Sequence, residues 1–341
     1  MYDKYIELSY ILYLHFTLKQ TMQKTILITG SAGFIGTNLV MRLLATTSHP
    51  FKIIGLDNLL TSPRPSMFSE LDKSEYEFIQ CDVVTDSHIL SSLPKIDEIY
   101  HLASIASPPK YRKYPIETMD VNIIGTRNIL DLAVKHGAKF ILTSTSEVYG
   151  DPLEHPQKES YYGNVNTVGE RSCYDESKRC AETYVYEYRR KYCGDFKICR
   201  IFNTYGPHMD IDDGRVVTNI IKQAINNRPV LICGDGKQTR SFCYIDDLLD
   251  GLTALMASRE AGPINLGNPN TECSINELVK TFETIVGGKL ILTRVPKMEN
   301  DPLIRKPDIT KAEILLGFSP KIGLEEGLQK TFDHFAKKIN H

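Results

Sequence analysis

Tyr174 and Lys178 are the residues whose spacing says most about chemistry; they stand in the segment Tyr-Asp-Glu-Ser-Lys. Residues four apart lie one turn apart on the same face of a helix. An ammonium group held beside a phenol favours the phenolate, which lowers the pKa of tyrosine from its ordinary value of about 10. We therefore expect Tyr174 to act as a general base that takes a proton from a substrate hydroxyl while hydride leaves the same carbon. Because such pairs also arise by chance on helix surfaces, the upstream sequence must support this interpretation.

Three polar residues, Thr145, Ser146 and Glu147, follow the predicted strand from Lys139 to Thr143. We expect all three to face the substrate, with the Thr145 hydroxyl assisting Tyr174 by hydrogen bonding and Ser146 beside it. Glu147 supplies a carboxylate at the reacting centre. A helix-capping or surface role is the alternative for Glu147.

A glycine-rich turn follows the first predicted strand, Thr25 to Thr29, and leads into a helix with an apolar stripe. Strand, glycine turn and helix form the context of a dinucleotide site, because glycines permit a tight turn and the helix N-terminus faces the pyrophosphate. The spacing of three differs from the G-x-G-x-x-G form, and a turn that only packs a helix on a sheet is the alternative. The turn residues predicted to bind the cofactor are Gly30, Gly33, Phe34, Ile35 and Gly36.

Further cofactor contacts are expected where the next strands end. The carboxylate of Asp57 would bind the adenosine ribose hydroxyls, and an acid at this point disfavours the extra phosphate of NADP, so we predict NAD. Asp82 would bind the adenine, with a helix N-cap as its alternative role. The remaining cofactor residues predicted in these segments are Asn58, Val83, Leu102, Ala103 and Ser104.

Strand and helix patterns alternate through the first two-thirds of the chain, which predicts an α/β fold with a Rossmann-type, doubly wound parallel sheet. A smaller C-terminal α/β substrate lobe is expected to lie over the carboxyl edge of the sheet, where ligands of such sheets bind. The predicted strands are Thr25 to Thr29, Phe51 to Leu56, Tyr76 to Cys81, Glu98 to Leu102, Lys139 to Thr143 and Lys197 to Phe202. The longest predicted helices run from Ile116 to His136 and from Tyr174 to Tyr192.

We divide the chain into three parts. Residues 1–21 are expected to be a poorly ordered extension, or an artefact of start-site choice, because Met22 stands just before the first strand. Their apolar stretch is shorter than the roughly 20 residues that a membrane span needs. Residues 22–206 are predicted to form the NAD-binding Rossmann domain. Residues 207–341 would be mainly the substrate lobe, with about 241–256 returning to the Rossmann domain.

Composition narrows the functional class. The chain has 341 residues, a formal net charge of −2 and 42% hydrophobic residues, which is typical of a soluble enzyme. Near-neutral charge argues against a nucleic-acid partner, and no membrane segment is expected. The eight cysteines lack the spacing of a metal site, so we expect no metal and infer reduced thiols and a cytoplasmic location.

Several stretches carry a family resemblance. The glycine motif and the Tyr-x-x-x-Lys pair resemble the extended short-chain dehydrogenase/reductase family, and within it the UDP-glucuronate decarboxylases. The match runs from about Lys24 to the C-terminal helix, and the Thr-Ser-Glu triplet and Arg305-Lys306-Pro307-Asp308 are its subfamily-specific parts. Other matching stretches begin at His101, Ser144, Arg200, Asp213, Gln238 and Asn265.

The resemblance implies a reaction in which UDP-glucuronate is oxidised at C4, loses carbon dioxide and is reduced to UDP-xylose. NAD would remain tightly bound and be recycled. Arg305 would bind the carboxylate of the sugar, and Tyr174, Lys178, Thr145, Ser146 and Glu147 would complete the catalytic set. The other residues assigned to the substrate are Asn203, Thr204, Arg215, Val217, Arg240 and Tyr188.

Alternatives remain open at this point. Another nucleotide-sugar 4-epimerase or a 4,6-dehydratase would use the same pair, although dehydratases carry Asp-Glu where this chain has Ser146-Glu147. A non-catalytic NAD-binding sensor commonly lacks the Tyr174 and Lys178 pair. The family also implies a homodimer built on the two long helices.

Overall fold

The structure is a computed structural model that describes residues 23–46, 51–63, 65–296 and 303–339. The extension predicted over residues 1–21 lies outside these ranges. Within them no helix has the length and apolar character to cross a membrane.

A parallel sheet of seven strands forms the centre of the protein, with spatial order β3-β2-β1-β4-β5-β6-β11. The order reverses between β1 and β4, which opens a crevice at the carboxyl ends of these strands. This arrangement confirms the predicted Rossmann-type fold. The strands of the sheet are β1 (Lys24–Thr29), β2 (Phe51–Asp57), β3 (Tyr76–Gln80), β4 (Glu98–His101), β5 (Lys139–Thr145), β6 (Phe196–Ile201) and β11 (Ile264–Leu266).

Helices cover both faces of the sheet. Two separate apolar clusters are buried, one on each face, because the central strands direct alternate apolar side chains to opposite sides. The helices are α1 (Phe34–Thr46), α2 (Ser87–Ser92), α3 (Pro108–Lys113), α4 (Pro115–Asp120), α5 (Thr126–His136), α6 (Ser172–Tyr192), α7 (Val216–Ile225), α8 (Ile245–Ala257), α9 (Ile275–Val286), α10 (Thr310–Leu316) and α11 (Leu324–Ile339).

The helix predicted from Ile116 to His136 is interrupted. A π-helical segment, Val121–Gly125, separates α4 from α5. Within this segment Asn122 is buried, accepts a hydrogen bond from Ser104 Oγ (2.8 Å) and donates one to Ser177 Oγ (2.9 Å). The interruption thus places an amide between a predicted cofactor residue and the helix of Tyr174.

Short strand pairs occupy the chain after β6. They provide three small sheets: β7 (Thr204–Tyr205) with β10 (Cys243–Tyr244), β8 (Val230–Cys233) with β13 (Leu292–Val295), and β9 (Thr239–Ser241) with β12 (Glu272–Ser274). In the same part of the chain, α8 packs on the main sheet and β11 joins its edge. Sequence analysis did not identify β11, because a strand of three residues carries too little periodicity.

Candidate active site

A cavity of about 570 Å³ lies at the carboxyl edge of the sheet, between the strand ends and the segments that follow β6. Except for Tyr188, every residue assigned to the cofactor or substrate from sequence lines this cavity. Residues far apart in the chain therefore share one space, which extends from the glycine turn to Arg305.

The glycine turn is built for close approach of a ligand. Gly30 has φ of +71°, and a Cβ there would lie 2.7 Å from Ala103 N. A Cβ on Gly36 would lie 2.2 Å from the carbonyl oxygen of Gly30. Only glycine fits both positions, so the backbone at the start of α1 stays open to a pyrophosphate, and the turn fits NAD.

Asp57 ends β2 beside this turn. One carboxylate oxygen accepts a hydrogen bond from Ala32 N (3.0 Å) and the other accepts one from Leu59 N (2.9 Å). Burial raises the pKa of Asp57, while these backbone donors oppose the rise. The carboxylate is thus fixed at the edge of the cavity, in the position expected for the ribose of NAD.

Asp82 lines the cavity and also makes structural hydrogen bonds. Its Oδ1 accepts from Val84 N (2.8 Å), and its Oδ2 accepts from the Asn58 side chain (2.9 Å). The N-cap position of α2 belongs instead to Asp86. The side chain therefore stabilises its own turn and holds Asn58 at the cavity wall, and its contact with the adenine stays a prediction.

Tyr174 and Lys178 lie on the inward face of α6, as the spacing predicts, and both are buried. Lys178 Nζ donates to the Thr143 carbonyl oxygen at 2.9 Å, and burial lowers the lysine pKa to about 8. Burial also raises the pKa of Tyr174 to about 12, although a hydrogen bond with Thr145 opposes the rise. The expected lowering of the Tyr174 pKa by Lys178 is therefore not observed, because desolvation of the buried phenol is the largest influence on that pKa.

Glu147 is held between two guanidinium groups. Arg171, at the start of α6, is ion-paired with Glu147 Oε2, and Arg305 Nη1 lies 2.6 Å from Glu147 Oε1. Burial favours the neutral acid, yet the Arg171 and Arg305 guanidiniums hold the pKa of Glu147 well below its usual range. Glu147 is therefore ionised at neutral pH, which rules it out as a resting proton donor.

Arg305 is 2% exposed and bridges several groups of the site. It donates through Nη1 to Ser146 Oγ (3.1 Å) and through Nη2 to the Gly150 carbonyl (2.8 Å). Its Nε is buried and has no hydrogen-bond partner among the described residues. A buried donor without a partner is costly, so the guanidinium retains capacity for one more acceptor.

The other predicted substrate residues also line the cavity. Arg215 pairs with Asp213 (2.8 Å), and Arg240 Nη1 donates to the Thr239 carbonyl at 2.8 Å. The remaining lining residues of this group are Asn203, Thr204 and Val217. The two cationic side chains of this group are suited to a diphosphate.

The assignment of Tyr188 to the substrate is wrong. Its hydroxyl donates to Asp131 Oδ1 on α5 at 2.7 Å, and its ring packs beside Tyr184 and Tyr192. The fourteen-residue separation from Tyr174 does place both residues on similar faces of α6. That face continues beyond the cavity, so the later turns of α6 pack on α5 instead.

Sequence analysis missed two residues of the site, Arg171 and Tyr111. The Tyr111 ring stacks on Tyr174, with centroids 5.5 Å apart and an angle of 8° between the planes. Its hydroxyl is buried without a hydrogen-bond partner among the described residues. The position of Arg171 three residues before Tyr174 was a usable signal, since residues three apart share a helix face. No local pattern marks Tyr111.

Comparisons with known proteins agree with this geometry. Residues 26–267 match the NAD dependent epimerase/dehydratase family. The chain is 47% identical to UDP-glucuronic acid decarboxylase 1 of Arabidopsis thaliana over 314 residues, which cover 92% of this chain and 70% of that protein. It is 45% identical to UDP-glucuronic acid decarboxylase 1 of Xenopus tropicalis over 324 residues, covering 95% and 75%.

A solved structure shows the same fold with ligands. The UDP-glucuronic acid 4-epimerase of Bacillus cereus, in complex with UDP-glucuronic acid and NAD, has a TM-score of 0.81 and 29% identity, over 92% of this chain and 99% of that one. The glycine turn at Gly30 and Gly36 fits the same class of enzyme. So does the pair formed by the candidate general base Tyr174 and Lys178. The chain therefore belongs to the NAD dependent epimerase/dehydratase family and, within it, to the UDP-glucuronic acid decarboxylases.

Proposed function

We propose that this enzyme converts UDP-glucuronate to UDP-xylose and carbon dioxide, with NAD used and regenerated in each turnover. The observation that carries the proposal is an ionised Glu147 held by Arg171 and Arg305 beside Tyr174. Two arginines at this point suit a substrate that carries a carboxylate on the carbon next to C4. Decarboxylation of UDP-glucuronate requires such a substrate.

Tyr174 acts on the C4 hydroxyl. In its phenolate form, the side chain accepts the O4 proton during oxidation, and the phenol so formed gives the proton back when the ketone is reduced. NAD held at the turn of Gly30 and Gly36 would supply the acceptor for the C4 hydride and the donor that restores it. Thr145 supports both directions, because its hydroxyl hydrogen-bonds with Tyr174 and offsets part of the effect of burial on the tyrosine pKa.

Decarboxylation follows from the position of the ketone. The 4-ketone is β to the carboxylate on C5, so the C5–C6 bond can break with its electron pair moving onto the ketone oxygen as an enolate. Hydrogen-bond donors at Tyr174 and Thr145 stabilise that oxyanion. Carbon dioxide leaves, and C5 then requires one proton.

Because Glu147 is ionised, it serves here as an acceptor that orders a water molecule, and the water delivers the proton to C5. The hydroxide that remains takes up one proton from solvent, which balances the overall reaction. Arg171 and Arg305 keep Glu147 in this state and this position. The unpartnered Nε of Arg305 provides a donor for the carboxylate of the sugar. Arg215 and Arg240, which line the same cavity, bind the diphosphate.

A 4-epimerase that acts on UDP-glucuronate is the second candidate, favoured by the likeness to the Bacillus cereus enzyme. The two reactions share the oxidation at C4 and differ in the fate of the carboxylate. A 4,6-dehydratase is less favoured because Ser146 stands where a second acid would protonate the leaving C6 hydroxyl.

Incubation with UDP-glucuronate without added NAD separates the candidates by the mass of the product. We expect a UDP-pentose and one equivalent of carbon dioxide, since NAD is recycled rather than consumed. A product with the mass of the substrate would identify an epimerase. An absolute requirement for stoichiometric NAD would refute the recycling.

We also propose that the enzyme is a homodimer built on α4, α5 and α6. Apolar side chains exposed on α4 and the π-helical segment support this, among them Ile116 at 64% exposure, Met119 and Ile124. On α6, by contrast, Ala181 and Val185 are buried within the protomer, and the Tyr188 hydroxyl is hydrogen-bonded to Asp131. The exposed apolar surface that supports a dimer therefore lies on α4 and the π-helical segment more than on α6.

A matched pair of variants tests the dimer. Ile116→Glu places a charge twice in a two-fold interface and should give a monomer in light scattering at micromolar concentration. Ile314→Glu, at a position that is 75% exposed on α10, should leave the mass at that of the dimer. A monomer mass for the unmodified protein would exclude the arrangement.

We further propose a reducing, cytoplasmic setting. All eight cysteines are free thiols, and Cys81, Cys199 and Cys243 are buried. Thiols of this kind persist where disulfides are not formed. Thiol titration of the protein isolated under anaerobic conditions should give eight equivalents, and fewer would contradict the proposal.

A further inference from the structure

Asp175 is a buried carboxyl group that the mechanism above does not use. It is 6% exposed, directly follows Tyr174, and lies behind Arg171 rather than on the cavity wall. Its Oδ2 is 3.7 Å from Arg171 Nε, and its Oδ1 is buried with no hydrogen-bond partner in the part of the chain that the structure describes. A permanently ionised carboxylate would not be left with a buried, unbonded oxygen, so this group is suited to changing its protonation state.

The charges around Asp175 come from several elements. Four of them belong to its own helix or to the residue before it, whereas the others reach it from the turn after β5, from the segment before α10 and from α3. The titratable and charged groups that face it are Arg171, Cys173, Tyr174, Glu176, Glu147, Arg305 and Tyr111.

A charge count within this cluster shows what the substrate changes. Arg171 and Arg305 contribute two positive charges, and Glu147 and Asp175 contribute two negative charges when both are ionised. The carboxylate of the sugar would add a third negative charge to a buried site. A third carboxylate disfavours the ionised form of the other two, so it favours proton uptake by one of these carboxyl groups, although the Arg240 charge opposes this at Glu147.

We propose that Asp175 is a positioning residue that takes up one proton from solvent when the carboxylate of the sugar enters the cluster, and releases it after that carboxylate has left as carbon dioxide. Ionised, it braces Arg171 against Glu147. Protonated, it leaves Arg171 and Arg305 to be shared by Glu147 and the substrate. This inference rests on the proposed function.

The protonation behaviour of the free protein is consistent with this role. Burial, followed by the Glu147 carboxylate, raises the pKa of Asp175 to about 7, against the opposing charges of Arg171 and Arg305. Asp175 is therefore largely ionised near pH 8 and largely protonated near pH 6. An additional carboxylate nearby raises its pKa further.

The test measures proton uptake on binding. The enzyme carries Tyr174→Phe and its bound NAD, so that ligands bind without turnover. UDP-glucuronate and UDP-xylose are titrated calorimetrically in buffers of different ionisation enthalpy. We expect uptake of more than about half a proton per site for UDP-glucuronate near pH 8, falling towards zero near pH 6. UDP-xylose, which lacks the carboxylate, should show none at either pH.

Two further variants assign the proton. Asp175→Asn in the same background should abolish the uptake and make the affinity for UDP-glucuronate independent of pH. Glu176→Gln removes a carboxylate one residue away that pairs with Arg179. This variant should retain the proton uptake and the pH dependence of the affinity. A purely structural role would weaken binding without changing the proton count.

The outcomes separate this inference from the proposed function. Binding of UDP-glucuronate without proton uptake, or uptake that persists in Asp175→Asn, would overturn the role of Asp175 and leave the function standing. Failure to bind UDP-glucuronate at all would overturn both. If Asp175→Asn does not fold, the contrast between the two ligands and its dependence on pH still decide the question, since uptake that is equal for both ligands refutes it.

Discussion

Replacement of Arg305 by Ala tests whether this side chain recognises the carboxylate of the substrate. The Arg305 guanidinium contacts Glu147 (2.6 Å), Ser146 (3.1 Å) and the Gly150 carbonyl (2.8 Å), and it is 2% exposed. Its Nε has no partner in the described residues. We therefore expect the variant to lose one charge-assisted interaction with UDP-glucuronate and none with UDP-glucose.

The expected magnitude follows from the kind of contact. A charge-assisted hydrogen bond contributes about 1.5–3 kcal/mol, which corresponds to roughly ten- to a hundredfold in affinity. Breaking the buried pair with Glu147 also lowers the free energy of unfolding by about 3–5 kcal/mol. This second effect reduces the amount of folded protein but acts equally on both ligands, so the ratio of the two dissociation constants remains informative.

The assay compares the affinities of UDP-glucuronate and UDP-glucose for each variant by calorimetry. Arg215→Ala is the control, because Arg215 lines the same cavity but pairs with Asp213 rather than with Glu147. The Arg215→Ala variant should lose affinity for both ligands to a similar extent. An equal loss for both ligands in Arg305→Ala would mean that Arg305 binds the nucleotide part, and the case for a decarboxylase over an epimerase would weaken.

Three other substitutions test the general base Tyr174, the carboxylate of Glu147 and the glycine turn that would hold the cofactor. Tyr174→Phe should reduce turnover by about 10²–10⁴-fold while NAD stays bound, because the phenol transfers a proton; turnover within about tenfold of wild type would remove Tyr174 from this role. Glu147→Gln should slow the steps after oxidation, so that bound NADH accumulates and its absorbance rises; a slower first hydride transfer would instead assign Glu147 to substrate positioning. Gly36→Ala should weaken NAD binding by roughly tenfold or more, since the new Cβ would meet Gly30 O at 2.2 Å. The control Gly288→Ala, with nothing within 4 Å of the added Cβ, should bind NAD normally, and equal affinities in the two variants would refute this role of the glycine turn.

The glycine turn and the Tyr174–Lys178 pair could be predicted from sequence because both are local features. A strand, a turn at Gly30 and a helix are encoded in one continuous stretch, residues 24–46, and a spacing of four fixes a shared helix face. The parallel sheet followed from alternating patterns, since parallel strands require crossover helices. These parts of the fold are decided by interactions between near neighbours in the chain.

The contacts of Arg305 could not be predicted in the same way. Arg305 lies 159 residues after Ser146, and nothing in either segment records that the two will meet. The resemblance to a family directed attention to Arg305 but not to its ion pair with Glu147, nor to Arg171 on the other side of that carboxylate. Only the folded chain brings these three side chains together.

The protonation states of the site were likewise settled by tertiary structure. The sequence by itself placed Tyr174 beside Lys178 and predicted a lowered tyrosine pKa, whereas the fold buries both groups and raises it. The same helix periodicity that correctly oriented Tyr174 assigned Tyr188 to the substrate, although its turn of α6 packs on α5. Spacing determines which way a side chain points along its helix. Desolvation and distant charges determine what that side chain can do there, and both depend on which other segments the fold packs against it.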